Sequence, residues 1–269
     1  LLCVIRAFKD ESVPHPQGSI DPARDIEAME LELAFSDMAI IERRLEKLAA
    51  QLKAARITDR PMLEGEAVLL EKIKLELEAG TPVRRQSLGE EDLKKISSYQ
   101  FLSLKPLLTV LNIGEEQLGE ARQLEEQLDS RFGDEGHRIV ALAGKLEMEL
   151  AGLDEESRQV FLDEFQIKEP GLQKVIRASF DLLGLISFLT TGEDESRAWP
   201  LPLNTYAPQA AGRIHSDIER GFIRAEVVHY DDLIRLGGYA GARKEGLFRV
   251  EGKNYIVQDG DVINFLFNV

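Results

Sequence analysis

The chain has 269 residues, 43% of them hydrophobic, and a formal net charge of −15 at pH 7. This length and hydrophobic content can fill the cores of two or three domains. The acidic balance excludes a generally basic nucleic-acid coat and argues against a membrane-surface protein, but it leaves room for a local basic face. Cys3 is the single cysteine, so no internal disulfide can form and a reducing, cytoplasmic compartment is expected. No apolar run is as long as a membrane span, so no membrane partner is expected.

The first predicted elements are a strand and two long helices. Residues 1–8 form an apolar run of the kind typical of a buried parallel strand. Asp21-Pro22 offers an N-cap and a first-turn proline, so a helix is predicted to begin there. A second helix over 61–79 completes a hairpin of the coiled-coil type within residues 22–97. The charged residues of this hairpin are most simply interpreted as its solvent-exposed face. The apolar stripe of the first helix is predicted at Ile26, Met29, Leu33, Ile41, Leu45, Leu48 and Leu52.

Strands and helices alternate after the hairpin. Strands are predicted over 106–111 and 138–143, and helices over 91–99, 115–131, 155–164 and 171–183. Such alternation predicts a parallel sheet with helices on its faces. We therefore expect an α/β domain formed by residues 1–21 and 98–185, which the helical hairpin interrupts.

From about residue 186 the chain changes to short strands separated by glycine and aspartate turns. Residues 186–269 are predicted to form a small α+β module. Its predicted strands are 186–190, 222–230, 247–250 and 262–267, with one helix over 209–221 and a short helix over 231–236.

The turn after the strand 106–111 reads Asn112-Ile113-Gly114-Glu115. GTPase-type domains carry Asn-Lys-x-Asp in this place, where the aspartate accepts two hydrogen bonds from guanine and the asparagine supports a neighbouring loop. Here Ile113 replaces the lysine whose stem flanks the base, and Glu115 is one methylene longer than aspartate, so selectivity for guanine should weaken. Taken alone, the same residues also suit a helix N-cap with acidic residues in its first turn.

A second candidate loop follows the next predicted strand at Ala143-Gly144. Small residues there would let backbone N–H groups approach a base, although an ordinary strand-to-helix turn is an equal alternative. The sequence contains no Gly-x-x-x-x-Gly-Lys-Ser/Thr, the loop that cradles phosphates. The chain also opens within a strand and without a methionine, so we expect the protein to have an N-terminal part that precedes Leu1.

A set of short motifs occurs in one consistent order along the chain. The first part contains Asp21-Pro22 with Asp25-Ile26-Glu27, then Asn112-Ile113-Gly114-Glu115 and Glu169-Pro170-Gly171-Leu172. The densest block is C-terminal, with Arg197-Ala198-Trp199, Ala207-Pro208-Gln209-Ala210-Ala211-Gly212, Ile214-His215, Gly221-Phe222-Ile223-Arg224-Ala225, Glu251-Gly252-Lys253 and Gln258-Asp259-Gly260-Asp261. Over essentially its whole length the chain resembles the YchF/Obg-like ATPase family, a branch of the translation-factor-related P-loop GTPases. The C-terminal block resembles the family's TGS domain, a β-grasp-like module.

The resemblance implies part of a P-loop NTPase domain with a coiled-coil insert and a C-terminal TGS domain. It also implies a preference for ATP over GTP, in agreement with Glu115, with Mg²⁺ accompanying the nucleotide in the intact protein. A ribosome, contacted through RNA or protein, is the implied partner of a translation- or stress-related regulator. The family's P-loop and switches lie upstream of the first strand, so no catalytic residue and no metal ligand can be assigned to this chain. We expect the chain alone not to hydrolyse ATP.

The C-terminal module supplies the candidate RNA contacts. Residues 204–269 contain eight Lys or Arg and nine Asp or Glu, so this part is nearly neutral in an acidic chain. A sheet face that bears Arg224, Arg249 and Lys253 could meet phosphates, although a mixed-charge surface is the simpler interpretation. Arg213 and Lys244 are further candidates. The alternative function is a non-catalytic scaffold that contacts the ribosome, RNA or protein through the TGS and coiled-coil parts.

Overall fold

A parallel sheet of three strands lies at the centre of the first part of the protein. The computed structural model describes residues 1–165, 167, 169–192 and 195–268, and the chain divides into two units, Leu1–Ala178 and Ser179–Val269. The sheet of the first unit consists of β1 (Leu2–Arg6), β2 (Leu107–Asn112) and β3 (His137–Leu142), in the order β1-β2-β3. Central β2 is buried from Leu107 to Leu111, as expected for a strand covered on both faces.

A long helical hairpin joins β1 to the rest of the first unit. Helix α1 spans Pro22–Ala54 and α2 spans Arg60–Glu78. The predicted cap is confirmed, because the Asp21 carboxylate accepts a hydrogen bond from the backbone N–H of Arg24 at 3.1 Å.

The predicted stripe of α1 is only partly correct. Ile26 packs in the core of the sheet, whereas Ile41 and Leu48 pack in the core of the hairpin with residues of α2. Met29 lies between these two cores with 37% of its surface exposed, so its assignment to the stripe is wrong. The reason is that the first turns of α1 pack against the sheet and its later turns pack against α2, so the buried face of the helix changes along its length.

Short helices complete the first unit. Helix α3 spans Glu90–Ile96, α4 Ala121–Phe132, α5 Gly144–Ala151 and α6 Glu155–Glu164, while α7 spans Gly171–Leu182 and crosses into the second unit. The predicted helix over 115–131 is a 3-10 helix at Glu115–Glu120 that continues as α4, and α5 was not predicted at all. The first unit is thus an α/β structure with a parallel sheet and flanking helices, as the sequence predicts.

In its described residues the second unit has a five-stranded sheet and, after the end of α7, four short helices. Its strands are β4 (Leu185–Thr191), β5 (Ser196–Pro202), β6 (Phe222–His229), β7 (Arg249–Glu251) and β8 (Asp261–Phe267), in the order β5-β4-β8-β6-β7. Only β4 and β8 pair in parallel. Strand β5 was not predicted because Pro200 and Pro202 interrupt it, but it lies at an edge of the sheet, where proline is tolerated.

The helices of the second unit are α8 (Ala207–Ile214), α9 (Ser216–Arg220), α10 (Tyr230–Arg235) and α11 (Tyr239–Lys244). The single helix predicted over 209–221 is wrong. His215 takes an extended conformation with φ −161° and ψ 143°, and its Nδ1 accepts a hydrogen bond from the backbone N–H of Asp217 at 3.1 Å. This histidine therefore ends α8 and caps α9. None of the helices among the described residues combines the length and the apolar character needed to cross a bilayer.

Candidate functional site

The two candidate turns meet at one edge of the parallel sheet. Asn112 and Leu142 end neighbouring strands and are paired in register. The side-chain Oδ1 of Asn112 accepts a hydrogen bond from the backbone N–H of Gly144 at 2.9 Å. A Cβ atom at position 144 would lie 2.9 Å from that same oxygen, so the close approach favours glycine.

A cavity of about 320 Å³ opens beside this contact. Its size lies at the lower end of the range in which small-molecule sites are found. It draws its walls from the segments that follow all three parallel strands, because the carboxyl ends of parallel strands share one edge. The lining residues are Phe8, Lys9, Asp10, Asn112, Ile113, Gly114, Glu115, Glu116, Ala143 and Lys145.

Glu115 stands at the mouth of the cavity. Its side chain is 39% exposed, and its Oε1 lies 3.9 Å from Nζ of Lys145. It begins the 3-10 helix Glu115–Glu120, whose N-terminal Gly114 donates its backbone N–H to Oε1 of Gln117 at 2.8 Å. The carboxylate is thus an accessible acceptor held near a cation, which suits recognition of an N–H donor on a ligand.

Ile113 packs into the core of the sheet beneath the cavity that it lines. Its residue surface is only 3% exposed, it belongs to the core of the sheet, and its backbone N–H donates to the carbonyl of Leu142 at 2.9 Å. Ile113 also lines the cavity, so it stays a candidate for the apolar wall beside a base. Ala143, which is also buried, precedes α5, so this turn is at once a strand-to-helix connection and part of the cavity wall.

The segment after β1 was missed as part of the site. Phe8, Lys9 and Asp10 line the cavity, and the guanidinium of Arg6 lies 4.5 Å from the centroid of the Phe8 ring. Arg6 also donates to the backbone carbonyls of Asp10 at 3.0 Å and Val13 at 2.6 Å, so it fixes the start of this loop. Parallel pairing of the first strand with the one that ends in Asn112 would have placed these residues at the same edge, but the sequence does not state which strands are neighbours.

Hydrogen bonds hold Asp10 in its ionised form. The hydroxyl and the backbone N–H of Ser12 both donate to its Oδ1, at 2.6 and 2.9 Å, and they lower the pKa of this exposed carboxyl below its ordinary value. The charges of Arg6 and Lys145 act in the same direction. The cavity therefore carries two lysines and three carboxylates around a partly apolar wall, which can orient a ligand that has both a flat apolar body and polar edges.

The candidate RNA contacts of the second unit do not form one face. In the sheet Arg249 pairs with Val227, so it lies on the side of that buried residue, whereas Arg224 lies on the opposite side. The prediction that these residues share a face is therefore wrong. The guanidinium of Arg249 already has partners within the unit, because it donates to the Tyr255 hydroxyl at 3.1 Å and to the fully buried Asp261 at 3.3 Å. The other candidates, exposed and without an ion-pair partner among the described residues, are Arg213, Arg224, Lys244 and Lys253.

Known proteins resemble the chain over nearly all of its length. Residues 185–268 match the family model YchF-GTPase_C, which is described as "Protein of unknown function (DUF933)". Over 99% of its length the chain is 42% identical to the ribosome-binding ATPase YchF of Bacillus subtilis and 39% identical to that of Escherichia coli O157:H7, and it covers 72% of each relative. Among solved structures it resembles the Schizosaccharomyces pombe YchF GTPase, with a TM-score of 0.79 and 28% sequence identity over 98% of this chain and 71% of that one.

The parallel sheet, its flanking helices and the two joined turns place the protein in the same α/β class as that solved GTPase. The sequence identities of 42% and 39% to the two bacterial relatives then identify the family as well as the fold. The chain belongs to the YchF family, so the recognition made from sequence motifs is confirmed.

Proposed function

We propose that the chain binds the purine base of a nucleotide, preferably ATP, in the cavity at the edge of the parallel sheet. The observation that carries this proposal is the hydrogen bond from Gly144 to Asn112, because it joins two turns that are distant in sequence into one wall of the cavity. The half-buried Phe8 ring at this cavity would give a base an aromatic surface to contact.

The preference for ATP follows from the length of the Glu115 side chain. An aspartate in this place would receive two N–H donors from guanine, but the extra methylene moves the carboxylate along the edge of the base. A carboxylate displaced toward position 6 accepts a hydrogen bond from the adenine amino group and repels the guanine carbonyl. Mg²⁺ would accompany the phosphates, but no three His, Cys, Asp or Glu residues gather as metal ligands in the described part of the chain.

Association with the ribosome is the second part of the proposal. It is supported by the relatives from Bacillus subtilis and Escherichia coli, which are named ribosome-binding ATPases and match this chain over 99% of its length. In this proposal residues 1–21 and 98–185 form the nucleotide-binding domain, residues 22–97 the coiled-coil insert and residues 186–269 a TGS domain. A ribosome partner would place the protein in the cytoplasm.

Titration followed by NMR tests base binding directly. Adenosine, guanosine and ATP are added to the chain, and the amide signals of Gly114 and Gly144 are followed together with those of the second unit. We expect adenosine to shift the two glycine signals at lower concentration than guanosine does. Shifts confined to other parts of the molecule, or none at saturating ligand, would contradict the site.

The variant Glu115→Asp tests the origin of the preference. We expect it to raise the ratio of guanosine to adenosine affinity by about 10-fold, which corresponds to about 1.4 kcal/mol. Glu156→Asp, the same change on the exposed first turn of α6, is the matched control and should leave the ratio unchanged. An equal ratio in all three proteins would remove Glu115 from the account of specificity.

A further inference from the structure

The free end of the helical hairpin is basic in a strongly acidic protein. We define the hairpin end as residues 53–62, which comprise the last two residues of α1, the connection and the start of α2. Its charged residues are three cations, Lys53, Arg56 and Arg60, and one carboxylate, Asp59, so its net charge is +2 while the whole chain carries −15. The first turn of α2 contains no acidic residue. The reversal of sign is therefore local to the hairpin end.

These three cations have no ion-pair partner among the described residues, and all three are exposed. Farther along the same hairpin two cations form ion pairs, Arg44 with Glu66 and Lys74 with Glu42, each at 2.7 Å, whereas Arg43 and Lys72 donate to backbone carbonyls. The hairpin body thus contains ion pairs, whereas the three cations at its end form none with the described residues. They are free to meet an anionic partner.

Apolar surface and a cavity accompany the free cations. Ile57 is 88% exposed and Met62 is 71% exposed. Met62 also lines a cavity of about 590 Å³, together with Pro61, Lys95 and Tyr99. The combination of free cations with apolar and aromatic surface is typical of sites that bind single-stranded nucleic acid, in which phosphates meet cations and bases leave water.

We propose that the hairpin end docks on single-stranded RNA, with phosphates beside Lys53, Arg56, Arg60 and Lys95 and a base in the adjoining cavity. This inference rests on the proposed association with the ribosome and specifies one of its contact surfaces. RNA is favoured over a protein partner because three cations lie within eight residues of the chain while the large exposed apolar side chains of the hairpin end are only Ile57 and Met62. Such a surface offers many phosphate contacts but little hydrophobic area.

The test compares two triple variants of the full chain with the same net charge. One is Lys53→Gln/Arg56→Gln/Arg60→Gln at the hairpin end. The control is Arg122→Gln/Arg158→Gln/Arg220→Gln, whose arginines are accessible and pair with carboxylates of their own helices. Far-UV circular dichroism is recorded first, and only variants with the spectrum of the unchanged chain are compared.

Two probes are used, fluorescein-labelled uridine RNA of about 20 nucleotides, longer than common single-strand sites, and purified ribosomes in a sedimentation assay. For RNA at about 0.1 M salt, three lost phosphate contacts should weaken binding by about 100-fold and reduce the salt slope by about 2. Binding to ribosomes should weaken in the same variant. The control should stay within about 2-fold of the unchanged chain for both probes, because surface charges away from the contact matter little at this ionic strength.

Three other outcomes distinguish a failure of the RNA surface from a failure of the proposed ribosome association. If the hairpin-end variant binds RNA as well as the unchanged chain does, the RNA surface is refuted, and retained ribosome binding would leave the proposed function standing. If ribosome binding falls while RNA affinity is unchanged, the hairpin end contacts a protein and the RNA assignment is wrong. If the unchanged chain does not bind ribosomes but its RNA affinity depends on the three cations, the RNA surface stands and the proposed association fails.

Discussion

Replacement of Asn112 by alanine removes the contact that joins the two turns of the candidate site. The lost interaction is one neutral hydrogen bond, from the partly buried Gly144 N–H to Oδ1 at 2.9 Å. A neutral hydrogen bond contributes about 0.5–1.5 kcal/mol, and a donor left without a partner raises the cost toward about 3 kcal/mol. We therefore expect the free energy of opening of the sheet edge to fall by about 1–3 kcal/mol, and the affinity for adenosine to fall at least about 10-fold because the cavity wall is no longer fixed.

Hydrogen exchange of the backbone amides of β2 and β3 is the appropriate measurement. Trp199 is the only tryptophan and lies in the second unit, so its fluorescence would not report on the sheet edge. Asn112→Asp keeps an acceptor for the Gly144 N–H and should retain most of the stability. Asn264→Ala is the matched control, because it loses only an exposed hydrogen bond to Glu226 and should cost less than about 0.5 kcal/mol. Unchanged exchange in β2 and β3 of Asn112→Ala would refute the structural role assigned to this side chain.

Three further outcomes are expected. Asp37→Ala should lower the free energy of unfolding by about 2–5 kcal/mol, because the buried carboxylate accepts two backbone N–H groups at 2.7 and 2.8 Å. Asp59→Ala, at the exposed turn, is the control and should have little effect. Urea unfolding followed by far-UV circular dichroism measures both variants. Burial and the hydrogen bond to Asp261 raise the pKa of Tyr255 above its ordinary value near 10. Its contribution to stability is therefore complete below about pH 10 and is lost as the pH rises further, so Tyr255→Phe should reduce the fall in stability between about pH 10 and 12. Finally, the purified chain should release no phosphate from ATP above background, since it contains no Gly-x-x-x-x-Gly-Lys-Ser/Thr; steady release that tracks the purified chain would contradict this.

Helix capping and the spacing of apolar residues were sufficient to predict the two long helices, because both signals lie within the helix itself. The cap at Asp21 and the spacing of apolar residues placed α1 and α2 to within a few residues. The same rules failed where a partner distant in sequence decides the conformation. Asp37 is the sharpest example, since a carboxylate in a helix is expected on the solvated face but here accepts the backbone N–H groups of Leu102 and Ser103.

The sequence predicted only the part of the candidate site that follows β2 and β3, because the remaining part depends on a strand pairing between distant residues. Asn112 and Gly144 follow successive strands, so a resemblance to a known motif order was sufficient to pair them. Phe8 and Asp10 reach the same cavity only because β1 pairs with β2 across about a hundred residues of intervening chain, and no local pattern encodes that pairing. Ile113 combines two positions, because it packs in the core of the sheet and also lines the cavity, and its predicted contact with a base stays a prediction.

The cavity and the hairpin are connected by a short path of fixed contacts. The loop that begins at the cavity with Phe8 is held by Arg6 at its start, and near its end His15 Nε2 lies 3.1 Å from Asp25 in the first turns of α1. Farther along α1, Glu30 contacts Arg84 and lies 3.5 Å from the fully buried His137 of β3. Burial alone would raise the pKa of Glu30, but His137 and Arg84 oppose it and the pKa lies below its ordinary value, so the carboxylate stays charged in this contact. Since α1 is continuous for 33 residues, about 50 Å, it holds the hairpin end at a fixed distance from the sheet. A surface presented there stands well clear of the cavity, so base binding and RNA contact can be perturbed separately, as the two sets of variants require.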